Sequence, residues 1–404
     1  MKILVLDTIH GGKTLAEFLK RSGHDVDSVD VYRGIEGSIS EDEAAGKIYD
    51  LIAAPVHLDP DYRLLNYSNT KVVSHHEAAA IAMADSVPEN ILLIEITGAR
   101  GKTTTAHAVS HLMDGCGILH TSGGTVRFPE KSMIFKRSIT PATLPEVLYV
   151  AGEDCRWIIA EESIGVTGLG DLGILTSGND YPIANGKKSA LDEKVRLLKR
   201  CKKVLLAPGI DIDIPGAFHS DNIVEVEDDI CKFHYGGLKG EFTNKLLTVD
   251  GYREALATAA AAGCILGKDP SCLGSFSALE GRLSYSTRDG TGIIDNSNSG
   301  ANRKTAATAS EYARRISPGQ KQVLVIGVEA DNICEGFPDD EIAGAISDIM
   351  PEAAVVISKN PESVRKMIPA GIEFDAASSL EEGAEKALKY GKDRIIILSV
   401  KTWR

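Results

Sequence analysis

Runs of about five apolar residues alternate with segments of helical period along the whole chain, the pattern of an α/β protein. "KILVLD" predicts a first strand, a helix follows over 15–22, and "VDSVDVY", "DLIAAP" and "KVVSH" predict further strands. Together they make a unit of residues 1–89 compatible with a small Rossmann-like domain. "DSVPEN" (85–90) reads as its exit linker, because Pro88 and Asn90 interrupt the pattern. A second region, 90–282, opens on "ILLIEIT" and carries the strands "WIIAE", "LGILTS" and "KVLLAP". Between them lie the helices "SALDEKVRLLKRC" and "REALATAAAAGCILG"; the latter is apolar on nearly every side and is expected between layers.

The third region, 283–404, alternates "GIIDN", a helix after Asn302, "QVLVIGV", a helix near 339–349, and "AAVVIS". A helix then starts with Asn360 as cap and Pro361 at its first position. Ser378 and Glu381 have capping-box spacing for the next helix, and "RIIILSV" closes a second Rossmann-like sheet. The chain shows no internal repeat and no low-complexity tract.

Composition narrows the classes. A length of 404 residues predicts two or three domains. A net charge of −13 and a pI near 5.3 argue against nucleic acid or an anionic membrane as partner, since both need a positive face. There is no apolar run of about eighteen residues, so no membrane span is expected, and the amino terminus reads as a strand instead of a signal peptide. Seven scattered cysteines without a Cys-x-x-Cys pair fit a reducing cytoplasm.

Two stretches carry Gly-Lys-Thr at the mouth of a predicted helix, 6–14 and 94–112. Neither is a Gly-x-x-x-x-Gly-Lys-Thr loop: five residues before Gly101 stands Ile96, and five before Gly12 stands Asp7. In the second, Gly98, Ala99, Arg100 and Gly101 form a tight loop between an apolar strand and a helix. Its amides and the helix dipole would hold an anion. Lys102 would reach the terminal phosphates of ATP and Thr103 would ligate Mg²⁺, with Thr104 next in the helix. In the first stretch Asp7 repels a phosphate. His10, Gly11 and Gly12 are expected either at a substrate carboxylate or similar group or in a structural turn. "GLGDLG" (168–173) precedes a strand, which argues against a dinucleotide site, and His107/His111 lack the Glu of a zinc-binding helix.

"TGARGKTTT" resembles the short phosphate loop of the Mur ligase superfamily, and further pieces follow in that family's order. "SITPATLPE" is similar to its Thr-Thr-Pro loop through Thr140, and "WIIAEESIG" to the strand ending in a magnesium-binding Glu, here Glu161 with Glu162 as rival. "ILTSGNDYP" supplies Asp180, "LDEKVRLLK" Lys194, "LEGRLSY" Arg282, and "GIIDNSNSGANRKT" the ribose-holding Asp295. The resemblance implies a three-domain architecture, with a Rossmann-like N-terminal domain, a P-loop ATPase central domain and a Rossmann-like C-terminal domain. It implies catalytic roles for Lys102, Glu161, Asp180 and Lys194, ATP contacts over 98–104 and at Arg282 and Asp295, substrate contacts at His10–Gly12 and Thr140, and Mg²⁺ on Thr103 and Glu161.

It also implies a reaction in which ATP converts a substrate carboxylate to an acyl phosphate that a nucleophile then attacks. The chain departs from the family at Tyr181, where a His is usual, at Glu254, standing for an adenine-contacting Asn ahead of the Ala-rich helix, and at 296–299. It is most similar to the archaeal Mur-like branch that makes coenzyme F-430. That implies a nickel tetrapyrrole seco-acid as small-molecule substrate and a monomer or homodimer. An amide ligase of the pseudomurein or polyglutamate type is the alternative. A P-loop switch or motor is disfavoured by the absence of Asn-Lys-x-Asp and by the Glu that ends "WIIAE".

Overall fold

The computed structural model describes all residues except 34–36, 67–69, 85, 86, 89, 299, 330–336, 403 and 404. The expected linker at 85–90 and the departure at 299 therefore lie partly or wholly outside the described residues. The chain forms two compact units, Met1–Phe276 and Ser277–Arg404.

The first unit holds two parallel sheets. Strands Lys2–Leu6, Asp25–Val29, Leu51–Ala54 and Lys71–Ser74 pair in parallel, with Lys2–Leu6 lying between Asp25–Val29 and Leu51–Ala54. Alternate residues of the first strand feed two cores. Ile3 and Val5 pack with Leu15 and Leu19 on one face, and Leu4 and Leu6 pack with Tyr49 and Leu64 on the other. Both faces are covered, which is why this strand reads as an unbroken apolar run.

The larger sheet has eight strands. Leu92–Thr97 sits inside it between Trp157–Glu161 and Leu172–Leu175, in parallel with both. Gly117–Thr121 pairs in parallel with Trp157–Glu161, and Gly124–Phe128 and Ser132–Phe135 extend the sheet antiparallel, three strands that the apolar pattern did not announce. A separate antiparallel sheet of Val224–Glu227, Ile230–Tyr235 and Leu238–Thr243 also went unread, because half its residues are polar. Helix Asp250–Ile265 is buried along most of its length, packed on helix Lys102–His111 and on that small sheet, as its all-round apolarity predicts.

The second unit is a six-stranded sheet in which Thr291–Asp295, Arg394–Lys401, Lys321–Val328, Ala353–Ile357 and Glu373–Ala377 run parallel and Ser284–Arg288 is an antiparallel edge. Two caps differ from expectation. Asn360 stands at the N-cap of helix Pro361–Met367 but makes no side-chain cap hydrogen bond, and its backbone amide donates to Ser358 Oγ. The next helix, Leu380–Leu388, is capped one residue later than expected: Ser379 Oγ accepts the Glu382 amide, and Glu382 reaches back to the Ser378 amide. Both spacings exist in the sequence. The later one wins because it buries Leu380 and delivers its amide to Glu329.

Candidate functional site

The loop after strand Leu92–Thr97 turns on two glycines. Gly98 has φ 154° and Gly101 has φ 81°, and a Cβ on Gly98 would fall 2.2 Å from Thr176 Oγ1. Thr176 and Ser177, from the end of the neighbouring strand, hold the loop. Thr176 Oγ1 donates to Arg100 O at 2.6 Å, while the amides of Ala99 and Arg100 donate to Ser177 Oγ at 2.9 and 3.3 Å. Two amides expected at the anion are thus turned to a hydroxyl, and the helix N-terminus from Gly101 onward carries the remaining orphan donors. Arg100 extends outward to Glu254 at 3.4 Å. Glu254 lies inside helix Asp250–Ile265, not ahead of it, so the position expected to stand for the adenine contact is an ion-pair partner of the loop.

At the start of helix Lys102–His111 the expected residues converge. Thr103 Oγ1 donates to Glu161 Oε2 at 2.9 Å, the Ser122 amide reaches the same oxygen at 3.1 Å, and Lys102 Nζ stands 3.8 Å from Glu161 Oε1. Glu161 and Thr103 are hard oxygen donors of the kind Mg²⁺ prefers. The structure separates Glu161 from its rival. Glu162 is buried, neither of its carboxyl oxygens has a hydrogen-bond partner among the described residues, and burial, reinforced by Glu95, pushes its pKa well above the ordinary range.

Glu95 is a feature that the motif search missed, although an acid within "ILLIEIT" was a visible signal. It is fully buried, and the amides of Thr167, Gly168 and Gly170 donate to it at 2.7, 3.1 and 2.7 Å, joined by the Thr167 hydroxyl. The "GLGDLG" glycines therefore wrap a buried carboxyl group and lead into strand Leu172–Leu175.

Asp180 accepts from Ser189 Oγ and the Leu191 amide, both at 2.9 Å, and these bonds hold its pKa below the usual value. Lys194 is fully buried. Its Nζ has no hydrogen-bond partner among the described residues and sits 4.4 Å from the centre of the Tyr181 ring. Burial and the neighbouring Lys102 charge lower its pKa to about 8, against the pull of Asp180. Lys102, Asp180, Tyr181 and Lys194 thus share one electrostatic neighbourhood.

The first sheet contributes the other cluster. Turn Thr8–Gly12 follows its first strand, and a Cβ on Gly11 would lie 2.8 Å from both Thr140 Oγ1 and Ala142 Cβ. The 8–13 stretch and Thr140, read as substrate positions from separate motifs, are therefore neighbours. His10 Nδ1 lies 2.6 Å from Asp7 Oδ2, and His57 Nε2 lies 3.8 Å from it. His57 went unread because 47 residues separate it from His10. On the phosphate-loop helix, His111 Nε2 is engaged by Ser275 Oγ at 3.0 Å and Cys272 O at 3.2 Å. In the second unit, Asp295 ends strand Thr291–Asp295 and accepts the Ser297 amide at 2.9 Å, and Arg282 follows Gly281, whose carbonyl takes Asn298 Nδ2 at 2.7 Å.

No helix among the described residues is long and apolar enough to cross a membrane. Residues 285–402 match the family described as coenzyme F430 synthetase CfbE, C-terminal domain. The coenzyme F(430) synthetase of Methanosarcina acetivorans is 30% identical over an alignment of 471 residues, covering 100% of this chain and 99% of that protein. The synthetase of the same name from Methanocaldococcus jannaschii is 26% identical over 224 residues, half of each chain. Among solved structures, the MurF ligase of Thermotoga maritima in complex with ADP superposes with a TM-score of 0.57 at 14% identity, covering 89% of this chain and 87% of that one, a likeness of fold.

Proposed function

The chain belongs to the coenzyme F430 synthetase family, and on that premise we propose that it closes a carbocycle on a nickel tetrapyrrole seco-acid at the expense of ATP. The observation that carries this reading is the convergence of Lys102, Thr103 and Glu161 at the mouth of the 98–101 loop. An anionic carboxylate must approach a triphosphate there, and the barrier is mostly charge. Lys102 and the helix N-terminal amides supply fixed positive potential. Thr103 and Glu161 would hold Mg²⁺, which would supply further neutralisation of the phosphate oxygens when bound.

A substrate carboxylate oxygen attacks the γ-phosphorus, the bond to the bridging oxygen breaks, and ADP leaves. A ring carbon then attacks the acyl carbon to form the C–C bond, the acyl C–O bond to phosphate breaks from a tetrahedral intermediate, and the departing phosphate carries away the proton lost from that carbon. Asp180, fixed by Ser189 and Leu191, holds negative charge that favours the charged form of Lys194, whose ammonium would meet the reacting oxygens. Thr140 and the 10–12 turn line the substrate side, and Arg282, at the end of 90–282, and Asp295, in 283–404, are the further nucleotide contacts that this reading assigns. We divide the chain into domains at 1–89, 90–282 and 283–404 and place it in the cytoplasm.

The test is mass spectrometry of nickel seco-acid incubated with protein, ATP and Mg²⁺. A product lighter by one water, formed with stoichiometric ADP, is the expected result. ADP release that requires an added amino acid would replace this reading with an amide ligase.

A further inference from the structure

In the first sheet, chain order reverses beside strand Lys2–Leu6: Asp25–Val29 lies on one side and Leu51–Ala54 on the other. Parallel sheets open a ligand crevice at the carboxyl ends of such strands. Asp7 directly follows the first strand, and His57 comes three residues after Ala54. Turn Thr8–Gly12 folds so tightly that a Cβ on Gly12 would sit 1.7 Å from Asp7 O, and this closeness brings His10 over Asp7.

Asp7 is fully buried at φ 68°. Its Oδ1 accepts the amides of Ile9 and His10 at 2.9 and 3.4 Å, which directs Oδ2 toward the two imidazoles. One donor atom from each of Asp7, His10 and His57 lies within 4.8 Å of the other two. Within this set His57 Nε2 is buried without a hydrogen-bond partner among the described residues. Buried polar atoms are otherwise almost always partnered, so an orphan nitrogen in a convergent donor set points to a ligand.

We propose that Asp7, His10 and His57 form a binding site for a divalent transition-metal ion of the Zn²⁺, Co²⁺ and Ni²⁺ class. Two imidazoles with one carboxylate suit these borderline ions, whereas Mg²⁺ prefers the all-oxygen pair at Thr103 and Glu161. Bonds of about 2.0 Å in a tetrahedral site place donor atoms about 3.3 Å apart. The 2.6 Å contact between Asp7 and His10 therefore opens and the 3.8 Å contact to His57 closes, both by less than an ångström. His10 is half-exposed, so the remaining coordination positions face the crevice. The site rests on this geometry and not on the ligase reading, although His10 belongs to the turn placed on the substrate side, and metal uptake is measured without turnover.

The test uses the whole protein, stripped with chelator and titrated with Co²⁺ in excess Mg²⁺. Uptake of one Co²⁺ per chain is expected, with visible d–d absorption, no thiolate charge-transfer band, and displacement by Zn²⁺. Asp7→Asn, His10→Gln and His57→Gln should each weaken binding at least about tenfold with unchanged circular dichroism. In the unmutated protein, Zn²⁺ should shift the ring-nitrogen resonances of two histidines, a readout that needs no variant. Absence of Co²⁺ uptake, a thiolate band, undiminished affinity in His57→Gln, or unmoved histidine resonances would overturn the proposal.

Discussion

The two glycine turns of the first unit both lead into Gly-Lys-Thr, yet they face opposite chemistry. At 98–105 the preceding strand ends in Thr97 and the neighbouring strand ends in Glu161, so Lys102, largely buried, points at a carboxylate. At 8–14 the strand is followed by Asp7 and the neighbouring strand delivers His57, while Lys13 is exposed. The tripeptide is the same. What differs is the residue at each strand end and the side chain the adjacent strand brings to it.

The largest expected effect separates the two turns. Lys102→Ala should lower ATP-dependent product formation by about a thousandfold and leave Co²⁺ binding at Asp7–His57 unchanged. A variant that retains full turnover removes the distinction. Next, Glu161→Gln should cost about a hundredfold in turnover and raise the Mg²⁺ requirement. Glu162→Gln should keep the Mg²⁺ requirement, because its carboxyl faces Glu95 in the interior. Equal losses in the two variants would show that the neighbours had been assigned the wrong way round.

A third comparison is thermodynamic. Glu95→Gln loses an acceptor shared by three amides and a hydroxyl, and urea unfolding should show about 2–3 kcal/mol lost. Glu162→Gln replaces a carboxyl whose pKa burial raises with a neutral isostere and should cost less than about 1 kcal/mol.

The smallest effects are in pH. Glu162 has a raised pKa, so the folded chain keeps a proton that the unfolded chain releases. Its contribution to stability falls as pH rises from the ordinary carboxylate range through the folded value, and Glu162→Gln should flatten that slope. Lys194, lowered to about 8 from 10.5, acts oppositely. Between those values the unfolded chain binds more protons, stability rises with pH, and Lys194→Met should abolish the rise.

Much of this was legible. Apolar runs located most of the parallel strands, because strands covered on both faces carry few polar interruptions, but Gly117–Thr121, Phe218–His219 and Glu373–Ala377 went unread. The phosphate loop was named from its glycines and its Lys-Thr at a helix start, and Glu161, Asp180 and Lys194 from the family resemblance, with Glu162 as a rival to Glu161. The contacts of the two glutamates, which the sequence does not carry, differ: Glu161 meets Thr103 and Lys102, and Glu162 is turned to the interior. The antiparallel hairpins were missed because their exposed faces dilute the apolar signal.

The sequence by itself determined the α/β alternation, the glycines that permit the 98–101 turn, and the order of charged residues along the chain. Tertiary structure alone decided that Ser177 would take two loop amides, that Glu95 and Glu162 would face each other in the interior, and that His57 would reach Asp7 across 50 residues. Local spacing fixes what neighbours along the chain can do. Which distant strand ends become adjacent is set by sheet order, which depends on burial summed over the whole core.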